Sequence, residues 1–210
     1  YIRKQTIQAR NNFFKYFVEN TDYTIDKSVI DIGTTPSLDD EHNVFLAHTK
    51  DNKNVSCLSD QDCSILKKKY TNIRNIIIGY GQNIKLEDNS FDISHSNAVI
   101  EHIGSHENQV TLIKEMARIS KNYVFIQTPN RNYPIKFHTI LPFIHWLPKN
   151  IHRKILRLLK LEFYSKEENL NLLTKKDLIN ICDQLNLKKF KIIDHKLLFL
   201  TSHLILVIEK

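Results

Sequence analysis

The alternation of short apolar runs with stretches of helical periodicity restricts the fold of this chain more than any other feature. Five apolar runs are candidate strands, at residues 29–32, 55–58, 76–78, 93–96 and 123–127. Between the last two runs, residues 108–120 place Val110, Ile113 and Met116 at helical spacing. Alternation of this kind predicts a mainly parallel sheet with helices packed on it.

Both ends of the chain carry further elements. Residues 1–20 are predicted to include an amphipathic helix with Ile7, Phe14 and Phe17 on one side. Near the other end, Thr174 and Asp177 predict a helix that begins with an acidic capping box. The residues from 190 to 210 predict two strands paired as a hairpin. No linker or repeat interrupts the chain, so a single domain of residues 1–210 is expected.

Positive charge is concentrated in one stretch. The chain has a net charge of +7, and no acidic residue occurs between Glu115 and Glu162. That interval holds nine basic residues, Arg118, Lys121, Arg131, Lys136, Lys149, Arg153, Lys154, Arg157 and Lys160. Such a distribution favours an anionic partner, which could be a small substrate, a nucleic acid or a membrane surface. A solvated basic face is the alternative.

Residues 135–164 break the strand–helix alternation. Pro142 and Pro148 exclude one long helix, and an apolar stripe follows at Ile151, Ile155, Leu158 and Leu159. The expectation is a basic cap inserted at about residues 131–165, with its stripe packed on the protein. An interfacial membrane helix is the alternative.

The three cysteines, Cys57, Cys63 and Cys182, have neither metal-ligand nor disulfide spacing. They are expected to be small buried hydrophobes in a reduced, cytoplasmic protein. A position at the inner face of the membrane is the alternative. His138, His145 and His152 recur every seven residues, but the intervening prolines argue against a shared metal-binding face. No signal peptide, membrane span or metal is expected.

Four polar stretches should meet at one edge of the predicted sheet, because ligands bind at the carboxyl ends of parallel strands. They are "DIGTTPS" from Asp31, "SDQD" from Ser59, "GYGQ" from Gly79 and "NSFDISHSNAVIEHIG" from Asn89. In the first stretch Asp31 and Gly33 stand where a glycine-rich loop would begin, and Thr35 and Ser37 occupy the places of later glycines. Such loops allow close approach of a ligand to the backbone.

Together these motifs resemble class I S-adenosylmethionine-dependent methyltransferases of the type 11 domain group. The matching features are Asp31 and Gly33, "DNSFD" with Glu101-His102, Glu115-x-x-Arg118 and Thr128-Pro129-Asn130. The resemblance implies a Rossmann-like α/β sheet of about seven strands, mainly parallel, with a C-terminal antiparallel hairpin and helices on both faces. Several stretches, including "DIGTTPS", also resemble a bacterial subgroup associated with capsular and other surface polysaccharide synthesis.

The resemblance also implies which residues hold S-adenosylmethionine and release S-adenosylhomocysteine. Asp31 and Gly33 would hold the methionine end, with hydroxyls from Thr34 and Thr35 and a helix N-terminus after Ser37 near its carboxylate. Asp60 would take the ribose, with Ser59 or Asp62 as alternatives. The adenine would lie against Tyr80, Gly81 and Gln82. Ser96, Asn97 and Ala98 would pass beneath the sulfonium.

The expected reaction is O-methylation of a small anionic acceptor, such as a phosphorylated sugar, a nucleotide sugar or a phosphoramidate capsule precursor. His102 and His138 are the candidate bases, needed only when the acceptor arrives protonated. The residues expected at the acceptor are Asn130, Arg131, Tyr133, Lys136, His145 and Trp146. Two alternatives remain, a nucleic-acid methyltransferase and a non-catalytic scaffold that docks on a membrane glycosyltransferase.

Overall fold

One mixed sheet of seven strands organises the protein, in the order β3-β2-β1-β4-β5-β7-β6. The computed structural model describes residues 12–134, 141, 143–197 and 199–210. The strands are β1 (Val29–Ile32), β2 (Val55–Ser59), β3 (Ile73–Ile78), β4 (Phe91–Asn97), β5 (Ser120–Pro129), β6 (Phe190–Leu197) and β7 (Leu200–Glu209). Strands β1 to β5 pair in parallel, while β7 is antiparallel to both β5 and β6. The predicted strands and the C-terminal hairpin are confirmed.

Helices connect these strands. The described helical segments are α1 (12–20), α2 (Val44–His48), α3 (His106–Ile119), α4 (Lys149–Leu158), α5 (Glu162–Ser165) and α6 (Lys175–Gln184). Short 3₁₀ turns occupy Ser64–Lys68, Ile100–His102 and Ile144–Trp146. The predicted capping box of α6 is confirmed, since the Asp177 N–H donates to Thr174 Oγ1 and the Thr174 N–H donates to Asp177 Oδ2.

Each face of the sheet carries its own apolar core, because successive residues of a strand point to opposite faces. On one face, Ile30 and Ile32 of β1 pack with buried residues of α3 and α6, such as Ile113 and Ile181. On the other face, Val29 packs with residues of α1 and α2 and with the 3₁₀ turn after β2. Helices therefore cover both faces, as predicted.

The cysteines behave as predicted from the sequence. Cys57, Cys63 and Cys182 are buried free thiols. Burial raises the pKa of the Cys57 thiol to about 12 and that of Cys182 to about 11. The thiolate is the reactive form, so these two side chains are inert at neutral pH.

Two local expectations are wrong. No helix begins directly after Ser37, since the chain runs irregularly until α2 starts at Val44. The apolar stripe of α4 is not packed on the protein, because Ile151, Leu158 and Leu159 are exposed and the fully buried residue of α4 is Leu156. Within the described residues, every helix is too short or too polar to cross a bilayer.

Candidate functional site

The main cavity opens at the carboxyl ends of β1, β2, β3 and β4, where the strand order reverses direction between β1 and β4. Its volume is about 690 Å³, within the range of sites for small organic ligands. The lining residues are Ile32, Gly33, Leu58, Ser59, Asp60, Gly79, Tyr80, Gly81, Gln82, Ala98, Val99, His102, Ile103, Gly104, Ser105, Asn108, Glu167 and Glu168. All four polar stretches that the sequence predicted to converge contribute to this lining.

Gly33 forms a part of the cavity wall that only glycine can form. Its φ is +91°, and a Cβ at this position would lie 2.1 Å from Val99 Cγ2. Its N–H donates to the Leu58 carbonyl over 2.8 Å, which fixes the loop to the end of β2. The backbone is thereby exposed to a ligand at close range. This geometry fits the tight approach that a nucleoside cofactor needs at the end of the first strand.

Asp31 lies beside the cavity wall and is not in its lining. Its Oδ1 lies 2.7 Å from His95 Nδ1, and its Oδ2 accepts a hydrogen bond from Thr34 Oγ1 over 3.1 Å. Asp31 follows Ile30 and precedes Ile32, so its side chain points to the opposite face from theirs. The carboxylate therefore holds the start of the loop that carries Gly33.

The two threonines of the loop also contact protein. Thr34 is buried and donates to Asp31, while the Thr35 backbone is held at both its N–H and its carbonyl by the Asn43 side chain. Asn43 Nδ2 also donates to the Ser37 carbonyl over 2.7 Å. Neither threonine lines the cavity. The Asn43 side chain thus holds the loop whose threonine hydroxyls were predicted to contact the cofactor. No sequence motif had indicated Asn43.

Of the three polar residues at the end of β2, two reach the cavity. Ser59 and Asp60 line it, whereas Asp62 lies outside the lining and accepts from the Ser64 N–H over 2.9 Å. Ser59 is buried and its hydroxyl accepts from the Gln61 N–H. Asp60 is exposed in the cavity lining, and its role at the ribose stays a prediction.

The stretch after β3 forms another wall. Tyr80, Gly81 and Gln82 all line the cavity. A Cβ on Gly81 would lie 2.5 Å from Leu112 Cδ1, so the backbone here packs closely on α3. Gln82 Nε2 donates to the Ile103 carbonyl over 3.3 Å and joins this wall to the loop after β4. Tyr80 is 66% exposed and presents its ring to an incoming ligand.

The end of β4 reaches the cavity through Ala98, which the sequence analysis named, and through Val99, which it did not. Ala98 has a φ of +55°, and its N–H donates to the Gln127 carbonyl over 2.9 Å. Ser96 is buried and donates to the Ile32 carbonyl, and Asn97 is half-buried outside the lining. The turn at Ala98 therefore exposes backbone where a ligand from the end of β1 would extend.

His102 is the histidine of the lining. Its Nδ1 lies 2.6 Å from the Asn169 carbonyl. Because a carbonyl only accepts, Nδ1 carries the hydrogen and Nε2 is the proton-accepting atom of the neutral ring. Nε2 lies 3.9 Å from Oε1 of the buried Glu101, whose Oε2 accepts from Thr128 Oγ1.

Most residues predicted to bind the acceptor lie beyond this cavity. Asn130, Tyr133 and His145 are buried, and His145 Nε2 lies 2.7 Å from the Tyr133 carbonyl. Arg131 donates to the carbonyls of His145 and Leu147 and borders a second, small cavity with Lys149 and Arg153. Trp146 is exposed on the surface. Lys136 and His138 fall outside the described residues, so their predicted roles remain predictions.

Four polar residues of the lining were not predicted from the sequence. Ser105 and Asn108 begin α3, and Glu167 and Glu168 come from the segment that follows α5. The sequence could have indicated Ser105, because serine is a preferred residue at a helix N-cap. In the structure its hydroxyl accepts a hydrogen bond from the Asn108 N–H. Glu167 and Glu168 gave no signal, because they reach the cavity through tertiary packing.

The family described as "Methyltransferase domain" matches residues 46–125 of the chain. A methyltransferase structure from Archaeoglobus fulgidus superposes with a TM-score of 0.63 at 14% identity, covering 98% of this chain and 94% of that one. One from Methanococcus maripaludis, a putative S-adenosylmethionine-dependent methyltransferase, gives 0.57 at 19% identity, covering 100% and 89%. One from Thermotoga maritima, a possible histamine N-methyltransferase, gives 0.57 at 16% identity, covering 88% and 83%. The search of curated proteins finds no match.

The residues of the cavity fit S-adenosylmethionine. The glycine backbone at Gly33, the carboxylate of Asp60 and the ring of Tyr80 stand at the ends of three successive strands of the sheet. That cofactor supplies an electrophilic methyl group on a sulfonium. The methyltransferase-domain match over residues 46–125 and the fold shared with the solved methyltransferase structures agree with this fit.

Proposed function

We propose that the protein is an S-adenosylmethionine-dependent methyltransferase, which transfers the methyl group to a hydroxyl oxygen of a small anionic acceptor. The observation that carries the proposal is His102, a ring in the cavity lining whose hydrogen-bonded Nδ1 leaves Nε2 as the proton acceptor. A hydroxyl needs a base when it attacks, whereas a phosphate or carboxylate oxygen does not. The buried carboxylate of Glu101, 3.9 Å from Nε2, supports the protonated ring that such a step leaves behind.

The position of His102 is fixed by the segment that follows α5. The Asn171 N–H donates to the Glu101 carbonyl over 2.7 Å, and Asn171 Nδ2 donates to the Gly104 carbonyl. Gln109 of α3 holds the carbonyls of both Ile100 and Asn171. Hydrogen bonds from two sides therefore orient the base, and catalysis of methyl transfer depends mainly on such positioning.

The charge that supports an anionic acceptor lies around the cavity and not in its lining, which contains Asp60, Glu167 and Glu168 and, among the described residues, no Lys or Arg. Two carboxylates of the cavity rim are paired with basic residues, Glu167 with Arg153 at 3.1 Å and Glu168 with Lys166 at 3.5 Å. The acid-free stretch between Glu115 and Glu162 adds nine positive charges to this half of the chain. Opposite charge raises the local concentration of a charged substrate. Phosphorylated sugars, nucleotide sugars and phosphoramidate precursors of surface polysaccharides are the acceptors to test first, a class suggested by the sequence resemblance.

The first experiment measures methyl transfer from labelled S-adenosylmethionine to these acceptors and to their neutral, dephosphorylated counterparts. His102→Asn keeps a donor toward the Asn169 carbonyl but removes the base, and it is expected to lower the rate by about 10²- to 10⁴-fold. Its affinity for S-adenosylhomocysteine should remain within about twofold of the wild type, since the base acts on the acceptor. His106→Asn, at an exposed position outside the lining, is the matched control.

Each part of the proposal can fail separately. Full activity of His102→Asn would exclude the base and with it the hydroxyl acceptor. Equal turnover of neutral and phosphorylated acceptors would exclude the electrostatic part. Absence of S-adenosylhomocysteine binding by the wild type would contradict the cofactor assignment itself and favour a non-catalytic scaffold.

A further inference from the structure

The apolar stripe of α4 faces solvent. Ile151 is 47% exposed and Leu158 is 82% exposed, and these positions lie seven residues apart on the same side of the helix as Ile155. Leu156, on the other side, is fully buried, and Arg153 pairs with Glu167. The helix therefore packs on the protein through a mixed face and shows its apolar face to the outside. Removing this apolar face from water would lower the free energy.

Aromatic residues next to α4 extend the exposed apolar surface. Phe143 and Trp146 lie just before the helix, each about half exposed, with ring centroids 4.9 Å apart. Phe163 of α5 is 61% exposed. We call Phe143, Trp146, Ile151, Leu158 and Phe163 the α4 surface. Several large apolar side chains on neighbouring elements mark an interaction site more strongly than single exposed residues do.

The charges around the α4 surface are mostly positive, although the exposed Glu162 lies next to Phe163. Lys154, Arg157 and Lys160 are exposed, and within the described part of the chain none of them forms a salt bridge. No acidic residue occurs in the sequence between Glu115 and Glu162. A partner that fits this surface therefore offers an apolar region with negative charge beside it.

We propose that the α4 surface binds in the plane of an anionic lipid membrane. Basic residues beside Trp, Phe and Leu on a short amphipathic helix are the composition of interfacial membrane helices. A helix of ten residues is about 15 Å long, half the thickness of the hydrocarbon core, so it lies along the bilayer. A second copy of the chain would bring like charges together, and a nucleic acid would leave Trp146 and Leu158 in water. This inference does not rest on the proposed acceptor.

The test is flotation of the full chain with vesicles, either pure phosphatidylcholine or equal parts of phosphatidylcholine and phosphatidylglycerol. We expect binding to the anionic vesicles at about 0.1 M salt and its loss at about 1 M, where the Debye length falls from about 10 Å to about 3 Å. Leu158→Ser should lower the partition coefficient by about tenfold through lost apolar burial. Lys154→Ala with Arg157→Ala should lower it by about 25-fold through two lost charges.

Matched controls separate this surface from general stickiness. Ile25→Ser removes an apolar side chain that is 65% exposed elsewhere, and Lys68→Ala removes an exposed charge elsewhere. Both should bind vesicles as the wild type does. The thermal unfolding midpoint of each variant should remain close to that of the wild type, because each change is at an exposed position.

Three results would overturn the proposal. The first is no binding to anionic vesicles at low salt. The second is an equal loss of binding in the control variants. The third is a dimer by light scattering that Leu158→Ser dissociates, which would assign the surface to a second copy of the chain.

Discussion

His95 Nδ1 lies 2.7 Å from Asp31 Oδ1, and the two residues are direct partners in the register that pairs β1 with β4. The imidazole is buried and stacks on Phe45, with ring centroids 3.9 Å apart. The pair thus joins the two strands at the point where the strand order reverses. It also fixes Thr34 through Asp31 Oδ2. A motif residue expected to contact the cofactor is held here by the protein itself.

Loss of either partner of this pair should destabilise the protein. Asp31→Ala and His95→Ala are each expected to lower the free energy of unfolding by about 3 kcal/mol, since each leaves a buried polar group without its partner. The loss of unfolding free energy in the double variant should be smaller than the sum of the two single losses by about 1–3 kcal/mol. Urea denaturation measures all three. Additive losses would show that the pair is not coupled, and the exposed Asp39→Ala serves as the control.

Asp60 should contribute directly to cofactor affinity. Asp60→Asn is expected to weaken binding of S-adenosylhomocysteine by about tenfold or more, because hydrogen bonds to a charged acceptor contribute about 1.5–3 kcal/mol. Asp62→Asn, outside the lining, should leave the affinity unchanged. Calorimetric titration compares the two variants. A larger effect at Asp62 would reverse the assignment of the ribose ligand.

Gly33 and Gly79 both line the cavity, yet they should respond differently to alanine. Gly33→Ala forces a φ of +91° on an L side chain and drives a Cβ into Val99, so a loss of about 1–3 kcal/mol in stability is expected, with weaker cofactor binding. At Gly79 a Cβ would meet no atom within 4 Å. Thermal unfolding and calorimetric titration of both variants check this. Equal behaviour would contradict the wall assigned to Gly33.

Glu115 should make stability depend on pH. Hydrogen bonds from Arg118 are the main reason why the pKa of the Glu115 carboxyl lies below its ordinary value of 4.5. Burial opposes this shift, and a hydrogen bond from the Ile84 N–H adds a smaller lowering. A lowered folded-state pKa stabilises the protein above the unfolded-state pKa, and this contribution is lost as the pH falls through the folded-state value. Glu115→Gln should therefore cost about 1 kcal/mol at pH 7 and progressively less in acid.

Urea denaturation at several pH values tests this expectation. Arg118 also donates to the carbonyls of Ile84 and Leu86, so the Glu115–Arg118 pair holds the segment between β3 and β4 on α3. The exposed Glu87→Gln in that same segment is the control. A gap between wild type and Glu115→Gln that stays constant down to acid pH would refute the role of this carboxylate's charge.

The strands and long helices could be predicted because their signals are local. The apolar runs of β1 to β5 and the spacing of Val110, Ile113 and Met116 in α3 follow directly from burial on a sheet. The convergence of Gly33, Asp60, Tyr80 and His102 could also be predicted, since parallel strands bring their carboxyl ends to one edge. These features depend on sequence period and strand direction alone.

Other parts of the site depended on contacts between distant residues. The sequence did not indicate that Asn43 holds the loop after β1, that His95 engages Asp31, or that Glu167 reaches the cavity rim. The amphipathic period of α4 predicted a helix, but a period does not say which face meets the protein. The hydrophobic periodicity of the sequence thus determined the sheet, its helices and the edge at which the cavity opens. Only tertiary packing decided which polar groups meet there and left the stripe of Ile151 and Leu158 in solvent, because burial is a property of the assembled chain.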